Sequence, residues 1–280
     1  MAASKPGQQT PMTPATSAAP PASLRSPEAT ARLALACLDL TSLSDNDDEA
    51  AIEHLCERAV GAPGRGAVAA VCVWPRFASL ARRRLPASIR VAAVANFPAG
   101  GSDVDAAVRD TRQIVAAGAE EVDVVLPWRD LAAAPALLRA VRRACEGRLL
   151  KVILETGELG SDEAIRNACR IALDAGADFL KTSTGKVSVN ATPHAAELML
   201  RAIATDLRAA PRVGFKAAGG IRTVADAGVY LALVAQWLGA EALRPARFRI
   251  GASGLLNDIE AVLAGSAAAG TGQQPGSSTY

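Results

Sequence analysis

The sequence predicts a single closed (β/α)8 barrel, and three observations lead there. Eight short β-branched runs alternate with longer stretches of Ala, Leu and Arg that carry helical periodicity. Polar and charged residues collect at the carboxyl ends of those runs, where barrels of this kind carry their chemistry. No linker-like composition interrupts the middle of the 280-residue chain, so about 240 residues form one α/β domain.

The elements follow in order. Residues 1–27 hold six prolines among Ser, Thr, Ala and Gln, with Leu24 the only large aliphatic side chain. Such a segment buries too little apolar surface to offset its ordering entropy, so a disordered extension is expected. Strands are expected at 35–40, 67–73, 89–96, 121–126, 149–155, 178–183, 212–216 and 248–252. Crossover helices are expected at 103–117, 162–175, 192–209 and 223–238. Residues 28–264 then form the barrel domain. Residues 265–280, rich in Gly, Ala, Ser and Gln and ending at Tyr280, are expected to be a flexible tail.

Composition narrows the function. With 50% hydrophobic and 21% charged residues the chain is neither disordered nor collagen-like. Thirty Lys plus Arg against 28 Asp plus Glu leave a formal charge of +2. That is too little for affinity built on neutralising nucleic-acid phosphates, so a small-molecule partner is expected. The five cysteines are scattered without a C-x-x-C pair, which points to a reducing compartment. His54 and His194 lack metal-ligand spacing, so neither a metal nor another cofactor is expected. No apolar run reaches the ~20 residues that span a bilayer, and the N-terminus lacks a secretory signal pattern. A cytoplasmic protein with no membrane partner is expected.

The strand ends carry the candidate site. Strand one ends in Asp39 and Thr41, strand two carries Cys72, strand four Asp123, strand six Lys181 and strand seven Lys216. Side chains alternate along a strand, so Leu180 and Thr182 face the helices while Lys181 faces the barrel axis. An inward lysine can pair with a carboxylate such as Asp123 or Glu155, or snorkel to the mouth. It can also lose its proton and become the nucleophile for a Schiff base. Lys216, at the equivalent place on the neighbouring strand, favours the last outcome, because two adjacent ammonium groups ease each other's deprotonation. Asp123 is either a proton relay or a salt-bridge partner, and both readings can hold together. Lys151 and Glu155 lie an even number of residues apart on strand five, share a face and are expected to pair in support.

Glycines form a second group. Gly219, Gly220 and Arg222 follow strand seven; Gly251, Ser253 and Gly254 follow strand eight. Loops at those two positions, with a helix N-terminus, are the usual phosphate cradle of such barrels. Thr184, Gly185 and Lys186 add a flexible, cationic rim after strand six.

Eight ordered blocks of this chain resemble the deoxyribose-phosphate aldolase family. They are C-L-D-L-T (37–41), V-C-V-W-P-R-F (71–77), V-A-N-F-P (94–98), E-V-D-V-V (121–125), L-K-V-I-L-E-T-G-E-L (150–159), A-D-F-L-K-T-S-T-G-K (177–186), V-G-F-K-A-A-G-G-I-R-T (213–223) and R-I-G-A-S (249–253). The resemblance implies a class I, metal-independent TIM-barrel enzyme of deoxynucleoside catabolism. Its reaction would be the reversible cleavage of 2-deoxy-D-ribose 5-phosphate to D-glyceraldehyde 3-phosphate and acetaldehyde. It implies Lys181 as the Schiff-base lysine, with Asp123 and Lys216 as proton donor and acceptor. Asp39, Thr41 and Cys72 would line the site; Gly185, Lys186, Gly219, Gly220, Arg222, Gly251 and Ser253 would surround the phosphate. Some members end in a tyrosine on a tail that assists proton transfer, and Tyr280 is similar. Gly254 departs from the family, which often has a second serine there. Another Schiff-base aldolase or transaldolase, or a non-catalytic phosphosugar binder, are the rival readings. A homodimer is the oligomer expected of such a barrel.

Overall fold

The computed structural model describes residues 24, 26–62, 64 and 66–270. Its elements run α1 (Pro27–Ala36), β1 (Leu38–Thr41), α2 (Glu49–Val60), β2 (Ala70–Val73), α3 (Ala78–Arg84), β3 (Arg90–Ala95), α4 (Val104–Ala116) and β4 (Glu121–Val125). They continue as α5 (Ala134–Ala144), β5 (Leu149–Ile153), α6 (Asp162–Asp174), β6 (Phe179–Lys181), α7 (Pro193–Thr205), β7 (Gly214–Ala218), α8 (Val224–Leu238), β8 (Phe248–Ala252) and α9 (Leu255–Gly270). The strands pair in parallel in chain order, and β8 closes on β1. The expected (β/α)8 barrel is the fold.

Alternation builds it. Leu40, Val71, Val122, Val124, Leu150, Val152, Leu180, Phe215 and Ile250 belong to the large apolar core between sheet and helices. The residues between them on the same strands turn inward, and many are charged: Asp39, Glu121, Asp123, Lys151, Lys181, Lys216 and Arg249 are all buried. Barrel interiors are usually layers of branched apolar side chains. Here an ionic layer replaces part of that filling, and it sits where register sets Lys181 beside Lys216 and Asp123 beside Lys151. A small apolar cluster of Leu43, Cys72, Ala92 and Val94, with Trp74 and Phe97 against it, is separate from the large core.

Several boundaries move. Leu35 and Ala36 end helix α1 instead of opening β1, because Ser26 caps that helix, Pro27 takes its first turn, and Ala31, Ala34 and Leu35 are buried. Leu24, expected in a disordered extension, packs against the core. Strand β7 starts two residues later than expected and runs on to Ala218. Helix α7 stops at Thr205, and turns carry the chain to β7. Helix α9 continues to Gly270, beyond the expected start of the tail at 265. No helix among the described residues is long and apolar enough to cross a membrane.

Candidate active site

Asp123 is the hub of the ionic layer. Lys151 Nζ donates to its Oδ1 at 2.7 Å, while Lys181 Nζ and Lys216 Nζ both donate to its Oδ2, at 2.9 and 2.8 Å. The other cations are better supplied. Lys216 also reaches Asp39 Oδ2 at 2.5 Å, and Lys151 also reaches Glu121 at 2.5 Å and Asp39 at 3.6 Å. Arg249 brackets Asp39 at 2.6 Å and Glu121 at 2.7 Å. Lys181 has one carboxylate oxygen among the described residues, and Lys216 shares it.

The charges follow from this geometry. Burial disfavours the Asp123 carboxylate, but Lys151, Lys181 and Lys216 outweigh burial and hold it well below the usual carboxylate range. Asp39 is lowered in the same way by Arg249, Lys216 and Lys151. Burial pulls Lys216 down, yet Asp123 and Asp39 outweigh it and raise the ammonium above the ordinary lysine range. Lys151 is raised too, by Asp123 and Glu121 against its burial. Although a lysine neighbour was expected to ease its deprotonation, Lys216 stays charged because two carboxylates hold it. Four basic groups (Lys151, Lys181, Lys216, Arg249) face three acids (Asp39, Glu121, Asp123). Within this salt-bridged set the bases outnumber the acids by one, and the amine with the weakest claim on a carboxylate is Lys181.

Lys181 is 3% exposed and lines a cleft of about 750 Å³ at the carboxyl ends of the strands. Thr41, Thr184, Gly185, Lys186, Gly219, Gly220, Arg222, Gly251, Ser253 and Gly254 line the same cleft. Asp39, Asp123, Cys72 and Lys216 do not; they are fully buried. Cys72 Sγ lies 3.8 Å from Asp123 Oδ2, and burial raises its thiol, so it is a neutral neighbour of the hub and not a cleft wall.

The glycines suit an anion. Gly219 and Gly220 adopt φ of +84° and +82°, which only glycine adopts freely. The backbone N–H groups of Gly220, Ser253 and Gly254 have no acceptor among the described residues. Neither does the Arg222 side chain, which is exposed at the rim. The N-terminus of α8 is less available: Thr223 and Asp226 cap each other, and Asp226 also accepts from Arg222 N. Free amides therefore come from the turns and from the start of α9, not from α8.

One sequence expectation fails here and one residue set was missed. Lys151 does not pair with Glu155. Glu155 has φ of +54°, which breaks strand alternation, and its Oε1 accepts from Thr184 N at 3.1 Å instead. Ser42, Leu43, Ser44, Asp45 and Asn46 also line the cleft. Asp47 shapes that loop by accepting from Ser42 Oγ and Ser44 N, and Lys186 Nζ donates to Leu43 O at 2.7 Å. The S-x-S-x-x-D spacing was the available signal. Tyr280 lies outside the described residues.

A family model described as DeoC/LacD family aldolase matches residues 33–259. A Coccidioides immitis structure, provisionally named a deoxyribose-phosphate aldolase, is 30% identical with a TM-score of 0.71, over 82% of this chain and 87% of that one. A Toxoplasma gondii structure with the same provisional name is 25% identical with a TM-score of 0.77, over 87% and 97% of the two chains. The deoxyribose phosphate aldolase of Aeropyrum pernix, described as tetrameric, is 25% identical with a TM-score of 0.67, over 84% and 92%. With its matched region spanning all eight strands, this chain belongs to the DeoC/LacD family of aldolases.

Proposed function

We propose that this aldolase cleaves 2-deoxy-D-ribose 5-phosphate reversibly to D-glyceraldehyde 3-phosphate and acetaldehyde, through a Schiff base on Lys181 and without a metal. The observation that carries the reading is Lys181 Nζ, in a layer with one surplus cation, opening on a cleft that ends in free backbone amides. The neutral amine adds to C1 of the open-chain sugar, and loss of water leaves an iminium. The C2–C3 electron pair moves into that iminium as the 3-hydroxyl passes its proton to the Asp123 carboxylate, which releases glyceraldehyde 3-phosphate and leaves an enamine. That proton returns to the enamine carbon from Asp123 Oδ2, which touches both nitrogens, with Lys216 held charged beside it. Water then frees acetaldehyde and regenerates the amine. The glycine turns, Lys186 and Arg222 would hold the phosphate and so fix the reacting bond over Lys181.

Cytoplasmic location, a place in deoxynucleoside breakdown and pairing into a homodimer belong to the same proposal. So does a part for Tyr280 in protonating the enamine carbon. A chain ending at Thr279 is expected to turn over several-fold more slowly, and unchanged steady-state rates would remove the tyrosine from the mechanism.

Borohydride trapping tests the core of the reading. The chain has only five lysines, so the label is readily mapped. With acetaldehyde and borohydride the Lys181 peptide is expected to gain an ethyl group, equally with and without a chelator, and Lys181→Ala is expected to remain folded without that label or any turnover. Labelling at another lysine with Lys181 unmodified refutes the assignment.

A further inference from the structure

We propose that Glu155 is a positioning residue for the phosphate end of the substrate, holding the 184–186 rim loop through its Oε1 contact with Thr184 N. The proposal deepens the aldolase reading and rests on it for the identity of the substrate, though not for the anion itself.

The chain of contacts is continuous. Glu155 Oε1 accepts from Thr184 N at 3.1 Å, Thr184 Oγ1 accepts from Lys186 N at 3.0 Å, and Lys186 Nζ donates to Leu43 O at 2.7 Å across the cleft. Thr184, Gly185, Lys186 and Leu43 all line that cleft, whereas Glu155 stands behind it, fully buried. Gly185, in the middle of the held loop, has φ of +86° and nothing within 4 Å of a Cβ position, so it does not stiffen the loop by packing. The loop's shape is left to the hydrogen bonds at its two ends.

Glu155 is an expensive way to build a turn. It occupies left-handed backbone, which favours Gly or Asn, and only Asn96 among the other described non-glycine residues does the same. Its Oε2 is buried without a partner among the described residues, as are Thr156 Oγ1 and Ser183 Oγ on the adjoining strand ends. Burial raises its carboxyl, against the Thr184 hydrogen bonds, which lower it. Strained backbone and half-satisfied buried polar groups persist where a site requires them. A glutamine would satisfy Thr184 N equally well, so the hydrogen bond, not the charge, is assigned the role.

The test separates the hydrogen bond from general damage. Inorganic phosphate is titrated by calorimetry into the full-length protein and its variants, and the acetaldehyde-borohydride label on Lys181 is measured in parallel. Glu155→Ala is expected to weaken phosphate binding about ten-fold and to raise KM for the phosphosugar by a similar factor with kcat nearly unchanged, the pattern of lost uniform binding. Glu155→Gln is expected to match wild type. If the alanine variant does not fold, Glu155→Asp, one methylene short of Thr184 N, takes its place with the same expectation. Phosphate binding that is absent in wild type, unaffected by alanine or aspartate, or equally lost in Glu155→Gln overturns the proposal. Failure of the Lys181 label in wild type, with the phosphate effect intact, strikes the aldolase reading alone.

Discussion

Lys216 has no room to move, and Gly251 is the reason it fits. A Cβ at Gly251 would lie 3.0 Å from Lys216 Cε and 3.0 Å from Ala218 Cβ. Lys216 Nζ is pinned between Asp39 at 2.5 Å and Asp123 at 2.8 Å, so its chain cannot swing away without loosening the proton relay. Misplacing a catalytic group by about 1 Å costs about 100-fold, and a shift of a few tenths costs correspondingly less. Gly251→Ala is therefore expected to lower kcat about ten-fold while the Lys181 label still forms; an unchanged kcat would show that Lys216 is not held as described. Residues of this kind divide sharply in how legible they were. Lys181, Lys216 and Asp123 could be read because an inward charge on an apolar strand is conspicuous. Glu155 was misread because its left-handed backbone breaks the two-residue alternation, and nothing local in the sequence marks where that happens. The 42–46 loop was missed because Lys186 ties it to the cleft across 143 residues.

Among the helices, side-chain capping sets where chemistry can begin. Ser26, Asp48, Asp103, Ser161, Thr192 and Thr223 each accept from the amide three residues on. The Thr223 box does more than start α8, because Asp226 also binds Arg222 N and so aims the residue that closes the proposed phosphate turn. Removing a capping hydroxyl costs about 1 kcal/mol. Thr223→Ala is expected to show that loss in urea unfolding together with a several-fold rise in phosphosugar KM. A stability loss with KM untouched would mean that the box serves only the helix. Element order and the α6 and α8 boundaries were legible from periodicity and caps. Helix α1 was not, although Ser26-Pro27 is a start signal, because its Ala-rich face reads as helix only once α8 and α9 are there to cover it.

Taken as one molecule, the barrel holds a salt-bridged layer around Asp123 in which bases outnumber acids by one, and its stability should report which amine is neutral. The sign is fixed by the shifts. Asp39 and Asp123 are lowered, so they contribute stability above the ordinary value of 3.8 that is lost as pH falls toward their folded values. Lys151 and Lys216 are raised, so their contribution is complete below 10.5 and is lost as pH rises through the folded values. Between those limits these four groups keep their charges, and substitutions at pH 7 read them cleanly. Lys216→Met leaves Asp39 and Asp123 short of a cation, which in a buried pair costs about 3–5 kcal/mol. In a domain of this size that lowers Tm by about 10 °C. Lys181→Met removes a group that is already uncharged if it is the nucleophile, so no carboxylate loses a compensating charge. Its Tm is expected to equal or exceed that of wild type. Calorimetry on the two variants decides the matter: an equal fall in both would mean that Lys181 rests as an ammonium, and that the surplus proton must leave the layer before any aldehyde can be attacked.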